Sequence, residues 1–164
     1  MITYSYTISS DGPTYSIQEA INKITDDLAS NPVVERDITI NIQDGTYAGA
    51  TIPNGALLPL LNTSYRLIIQ SAGEYFPVID FNDSNESQVV GIDIGSGNPN
   101  VTINGLRLHY FSVGIRADLN SHFPVVRDCI ITNNRNAGIF ISECDQVSVV
   151  QNVVVNGDYG IVTR

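Results

Sequence analysis

The sequence is short of several things. It has two cysteines, one methionine, no tryptophan, and a single lysine, Lys23, among 8 basic residues. Two cysteines, Cys129 and Cys144, are too few for a disulfide scaffold, and they lack partners at metal-ligand spacing. Both are expected to be reduced, one of them as a small core residue. Basic residues are scattered and outnumbered by 17 acids, for a net charge of -9. That excludes general affinity for nucleic acid or an anionic membrane, since both need clustered cations. No apolar run approaches the ~18 residues of a bilayer span. Met1-Ile2-Thr3-Tyr4-Ser5 has no basic segment leading into an apolar one, so no secretory leader is expected. Asn-x-Ser/Thr at Asn62, Asn82, Asn85 and Asn100 is then read as an accident of composition.

What is present is enough for a core. Of 164 residues, 43% are hydrophobic and only 15% charged, which suits one folded domain. Ile17, Ala20, Ile21, Ile24 and Leu28 recur at helical spacing and predict one amphipathic helix with a single buried stripe. Ser16 and Glu19 stand at capping-box spacing before it. Asp11-Gly12-Pro13 turns into the helix, and Ser30-Asn31-Pro32 ends it.

Beyond Pro32 the pattern changes to period two. Ile38, Ile40 and Ile42 alternate with Thr39 and Asn41, and Leu67/Ile69, Ile92/Ile94, Ile115/Ala117, Ile139/Ile141 and Ile161/Thr163 recur at the same two-residue spacing. Many short strands separated by Gly, Asn, Asp and Ser imply an all-β domain. Gly91-Ile92, Gly114-Ile115, Gly138-Ile139 and Gly160-Ile161 follow each other at steps of 23, 24 and 22 residues. A second marker, Asp80, Asn104, Asp128 and Asn152, steps by 24 throughout. Two markers sharing one period indicate a solenoid. A leucine-rich repeat would need regular leucines and a helical return segment, and neither occurs. A parallel β-helix of about five to six coils, stacked at roughly 4.8 Å, is the better reading.

On this reading residues 1–32 form an N-terminal segment with its capping helix, and 33–164 form the coils. Ile92/Ile115/Ile139/Ile161 point inward in one sheet and Val101/Val125/Val149 in another. Asp80, Asn104, Asp128 and Asn152 form a polar ladder along a turn. Alternation of Asn with Asp argues against a calcium site there. Val126, Phe140, Val150, Val154 and Val162 face outward, which marks the later coils for contact with a partner. Ile161-Val162-Thr163-Arg164 stops within a strand, so a partner or further chain is expected over the last coil.

The chain resembles the right-handed parallel β-helix superfamily, the pectate-lyase-like proteins. Asp11-Gly12-Pro13-Thr14-Tyr15-Ser16-Ile17-Gln18-Glu19-Ala20-Ile21 is similar to the opening of members found in bacteriophage tails, baseplates and capsids. There a helix covers the first coil, and a strand ending in Asp-Gly-x-Tyr follows; Asp44-Gly45-Thr46-Tyr47 matches it. Members that cut polysaccharides imply motifs that can be sought here. No Gly-His-Gly or Arg-Ile-Lys occurs, and the adjacent acids Asp26-Asp27 lie on the helix. Asp93 beside Arg116 reads as an ion pair between coils. Asp118 and Glu143 would need loops to join them, and His109 and His122 stand alone in turn-like text. Tyr75-Phe76 and Tyr110-Phe111 are turn aromatics that could stack on sugars, on a neighbouring subunit or on the core.

The resemblance therefore implies a non-enzymatic structural protein of a virion, without cofactor or metal. Its partners would be itself, as an oligomer such as a trimer, and other virion proteins, with a surface glycan as a further ligand. The alternative is a spike that binds or degrades polysaccharide, completed by further chain or a subunit interface. A third reading, a secreted bacterial β-helix, would require an upstream leader.

Overall fold

The structure, a computed structural model, describes residues 4–9, 16–80, 90–155 and 157–164. Met1–Thr3, the segment from Asp11 to Tyr15, and the Asn82 and Asn85 sequons lie outside the described residues. The chain opens with β1 (Ser5–Ile8) and α1 (Ile17–Ser30). A first coil follows: β2 (Ile38–Ile42), β3 (Thr46–Tyr47) and β4 (Ala50–Ile52). After a loop with a 3-10 turn at Leu58–Leu60 come β5 (Leu67–Ser71), β6 (Val78–Asp80) and β7 (Val90–Ile94). The third coil is β8 (Val101–Asn104), β9 (Arg107–His109) and β10 (Val113–Ala117). The fourth is β11 (Val125–Arg127), β12 (Ile130–Thr132) and β13 (Ala137–Ile141), and the fifth β14 (Ser148–Val150), β15 (Val153–Val155) and β16 (Tyr159–Thr163).

Each coil contributes one strand to each of three parallel sheets. The first sheet runs β1-β2-β5-β8-β11-β14, the second β3-β6-β9-β12-β15, and the third β4-β7-β10-β13-β16. Alternation decides what faces inward. In the third sheet Ala50, Ile92, Ile115, Ile139 and Ile161 form one column, and all but the last are buried. In the second, Tyr47, Ile79, Leu108, Ile131 and Val154 do the same. In the first, the column is Tyr6, Ile40, Ile69, Ile103, Val126 and Val149.

That last column corrects two expectations. Thr102 pairs with Val125 and Val125 with Ser148, a step of 23 rather than 24. One residue of slip turns a strand over, so Val125 faces outward and Val126 is buried, the reverse of the sequence reading. It also dissolves the proposed polar ladder. Asn104 ends β8 opposite Arg127, while Asp128 lies one residue beyond it in the turn, at φ 53°. Asn152 stands over Cys129, whose backbone N–H it accepts at 2.9 Å, and Asp80 belongs to the second sheet opposite His109. The left-handed turn positions that do repeat are Gly105, Asp128 and Gln151.

Helix α1 covers the front of the stack. Ile17, Ala20, Ile21, Ile24 and Leu28 are all buried. Ser16 Oγ accepts the Glu19 N–H at 3.1 Å and the Glu19 carboxylate accepts the Ser16 N–H at 2.6 Å. Gln18 ties the helix to β4 through both the carbonyl and the N–H of Thr51, at 3.0 and 2.7 Å. Strand β1, which no sequence pattern marked, pairs with β2 and adds a strand ahead of the first coil.

Candidate functional site on the second sheet

The outer face of the second sheet carries two rows of side chains. One row reads Thr46, Val78, Arg107, Ile130 and Val153; the other reads Asp80, His109, Thr132 and Val155. Parallel pairing sets carboxylate, imidazole and hydroxyl on three consecutive rungs, roughly 4.8 Å apart at the backbone. Thr132 Oγ1 lies 2.7 Å from His109 Nδ1, a short hydrogen bond. Burial and the Arg107 charge lower the His109 pKa, with Asp80 opposing them. The shift favours the neutral imidazole, and in its Nε2–H tautomer Nδ1 accepts from the hydroxyl. Asp80 Oδ1 and Arg107 Nε are both buried without a hydrogen-bond partner, which is costly unless a ligand or water satisfies them.

Beside these rows is an open cleft of about 560 Å³, lined by Asp44, Thr46, Glu74, Tyr75, Phe76 and Arg107 among others. Asp44 shapes it: its carboxylate accepts the backbone N–H groups of Glu74 and Tyr75 at 3.2 and 3.0 Å. Tyr75 and Phe76 are exposed at its rim. Aromatic faces, carboxylates and a guanidinium together suit a ring-bearing polar ligand. Of the other turn aromatics, Tyr110 is exposed and Phe111 is buried in the core.

Asp93 and Arg116 pair across adjacent rungs of the third sheet. Arg116 Nε donates to Oδ1 at 2.8 Å and a terminal nitrogen to Oδ2 at 2.5 Å. This bidentate bond, with the nearby carboxylates Asp93 and Asp118, raises the Arg116 pKa against burial. Asp93 is only 8% exposed, so the pair is closed rather than poised for a substrate. Phe140 and Val162 continue the row, and the Arg164 guanidinium lies over the Phe140 ring at 5.6 Å. His122 forms an isolated parallel bridge with Asp145, its Nδ1 3.2 Å from the Asp145 carboxylate. Among the described residues no three Asp, Glu, His or Cys side chains are grouped to hold a metal, and no helix is long and apolar enough to cross a membrane.

The sequence-predicted contact residues divide. Phe140, Val150 and Val162 face outward, whereas Val126 and Val154 face the interior, Val126 fully buried and Val154 packed against the core. Val153 and Val155, not singled out from sequence, take the outward positions at 53% and 46% exposure. The valine run of β14 and β15 is thus exposed on its outer side. Cys129 is buried and free, its thiol pushed up to about 11 by burial; Cys144 is half-buried, free and also shifted up by burial. The Asp80–His109–Thr132 row was missed because its steps are 29 and 23 residues, and the longer one falls outside the repeat.

Three parallel sheets wound by short turns around an aliphatic column define a parallel β-helix. A family model described as right handed beta helix region matches residues 60–164, and the chain belongs to that family. No curated protein and no solved structure matches it.

Proposed function

We propose that the chain is a structural component of a bacteriophage particle, in a tail, a baseplate or the capsid surface. It assembles sideways through its coils with copies of itself and with neighbouring virion proteins, and cleavage of a polysaccharide chain is not part of that role. The observation that carries this reading is the outer face of the last coils. Val150, Val153 and Val155 are 45%, 53% and 46% exposed; Val150 ends a row of Asn41, Gln70, Asn104 and Arg127, and Val155 one of Asp80, His109 and Thr132. A contiguous apolar strip of this kind favours protein contact. Short turns support it: β11 to β12 and β14 to β15 are each joined by two residues, which leaves flat sides without the walls of a substrate groove. The virion placement rests on the resemblance of Asp44-Gly45-Thr46-Tyr47 and the preceding helix to phage proteins.

Sedimentation velocity tests the assembly. The chain is expected to associate as concentration rises, and a Val153→Lys/Val155→Lys variant to stay monomeric with an unchanged circular dichroism spectrum. A wild type that remains monomeric throughout overturns lateral assembly, and purified particles lacking the chain by mass spectrometry overturn the virion placement.

A second reading, a glycan-binding or glycan-degrading spike, is favoured by the Tyr75/Phe76/Arg107 cleft. It requires saturable binding of acidic oligosaccharides, weakened by Tyr75→Ala.

A further inference from the structure

The second sheet's outer face holds a nucleophile–base arrangement one rung before Val155 of the apolar strip. We propose that Thr132 and His109 hydrolyse small carboxylic esters, with Arg107 stabilising the oxyanion. The inference goes beyond the assembly reading and does not depend on it.

Three observations converge. The Thr132 hydroxyl and His109 Nδ1 are already within hydrogen-bond reach at 2.7 Å, the relation required of an activated hydroxyl and its base. Both sit on strands rather than loops, so ladder pairing of Ile130–Thr132 with Arg107–His109 fixes their approach. Arg107 lies two residues before His109 on the same outer face, with its side chain lining the open cleft. A guanidinium that lines the cleft beside a hydroxyl–imidazole pair can stabilise a developing negative charge through its terminal N–H groups. By contrast, the Asp93–Arg116 pair has its hydrogen bonds satisfied internally.

The chemistry balances with water alone. Neutral His109, protonated at Nε2, takes the Thr132 hydroxyl proton at Nδ1 as Oγ1 bonds to the ester carbonyl carbon. The carbonyl electron pair moves to oxygen, where the terminal N–H groups of the Arg107 guanidinium donate to it. Collapse reforms the carbonyl and breaks the ester C–O bond, and the departing alcohol oxygen takes the proton from His109. Water, deprotonated by His109, then attacks the acyl group on Thr132 by the same path, releasing the carboxylic acid and restoring the hydroxyl. Asp80, one rung before His109, touches no substrate; its negative charge stabilises the imidazolium formed at each stage. The ester must be small because the sheet face is flat, while the cleft edged by Tyr75 and Phe76 receives the alcohol portion.

The intact chain incubated with p-nitrophenyl acetate tests this. Release of nitrophenol is expected to saturate and to exceed that of free imidazole at equal concentration. Thr132→Val and His109→Gln are each expected to lower it by about 100-fold or more, the usual contribution of a positioned acid–base group, while Thr132→Ser retains it. Activity should fall as pH drops below the ordinary imidazole value of 6.5, because both Arg107 and burial disfavour protonation and only neutral His109 can act as base. Acid-quenched wild type should carry one acetyl group on Thr132 in peptide mass mapping, a readout that needs no variant to fold. Release no faster than free imidazole, equal rates in the Thr132→Val variant, or acetylation elsewhere would each overturn the proposal. Sedimentation reads the assembly role separately, so either can fail alone.

Discussion

A single hydrogen atom in place of a methyl decides how closely the coils stack at one corner of the solenoid. Gly91, Gly114, Gly138 and Gly160 follow one another where the third sheet begins. A Cβ built on Gly114 would stand 2.7 Å from the Gly138 carbonyl oxygen and 2.7 Å from Ile131 Cγ2. Gly91 has the same problem, 2.5 Å from the Gly114 oxygen. Backbone and a buried branched side chain cannot both give way in a packed interior. Gly114→Ala is therefore expected to destabilise the protein by ~1–3 kcal/mol. Urea unfolding checks it, and an unchanged midpoint would show that the coils have slack there. This glycine column is also why the Gly-Ile marker was legible in the sequence: a steric requirement recurs once per turn, whatever the chemistry around it. Buried polar residues carry less of a signature. Asn98, completely buried, accepts the Leu57 N–H at 3.0 Å and donates to the Pro53 and Gly95 carbonyls at 2.8 and 2.7 Å. It pins the long loop between β4 and β5, yet the sequence around it reads only as a turn.

Elements divide by how much of their placement is local. Helix α1 was legible because its stripe, its cap and its proline stop all lie within one short segment. Replacing the N-cap, Ser16→Ala, removes the acceptor for the Glu19 N–H and is expected to cost about 0.5–2 kcal/mol. The measurement is the thermal unfolding midpoint, and no shift would mean that the buried stripe and Gln18's bonds to Thr51 alone hold the helix. Strands of the third sheet were legible in register as well, since each Gly-Ile pair marks its own rung. The first sheet was not. Its strands Val101–Asn104, Val125–Arg127 and Ser148–Val150 are apolar at almost every position, so composition does not say which alternate residues face inward. A 24-residue alignment and the true 23-residue pairing look equally good on paper and differ by a half-turn of every side chain. The same slip separated Asn104 from Asp128, whereas Asp80 lies in the second sheet. Asp80 reaches His109 only across the larger second coil, whose length no repeat reveals. Strand β1 was invisible for a related reason: four residues pairing with a strand more than thirty positions later carry no local pattern.

On the scale of the molecule, each coil is buried by the coils on either side, so stability should vary along the stack as a nearest-neighbour sum. The inward isoleucine column gives a direct comparison. Ile115 and Ile139 are completely buried, with a coil above and below, whereas Ile161 in the fifth coil is 51% exposed and Tyr159 beside it 64%. Truncating a fully enclosed isoleucine loses its transfer energy and leaves a cavity, ~2–5 kcal/mol in typical cores. Truncating one with solvent on one side loses part of the first contribution and little of the second. In this chain Ile139→Ala should therefore cost several times as much as Ile161→Ala. Amide hydrogen exchange should show the same gradient in the unaltered protein, because exchange reports local opening as well as global unfolding. Protection should be greatest across β7 to β13 and least in β14 to β16, on whose outer edge no strand is stacked among the described residues. Lateral association alters the expectation in a way that separates the two surfaces: copies packed through Val150, Val153 and Val155 would protect side chains on the outside of the fifth coil without supplying backbone partners to its edge. Raising the protein concentration should then slow proteolysis near Val153 while leaving exchange of the β16 amides fast. Uniform protection from the first coil to the fifth would mean that the stack opens as one unit and that coil neighbours do not set local stability.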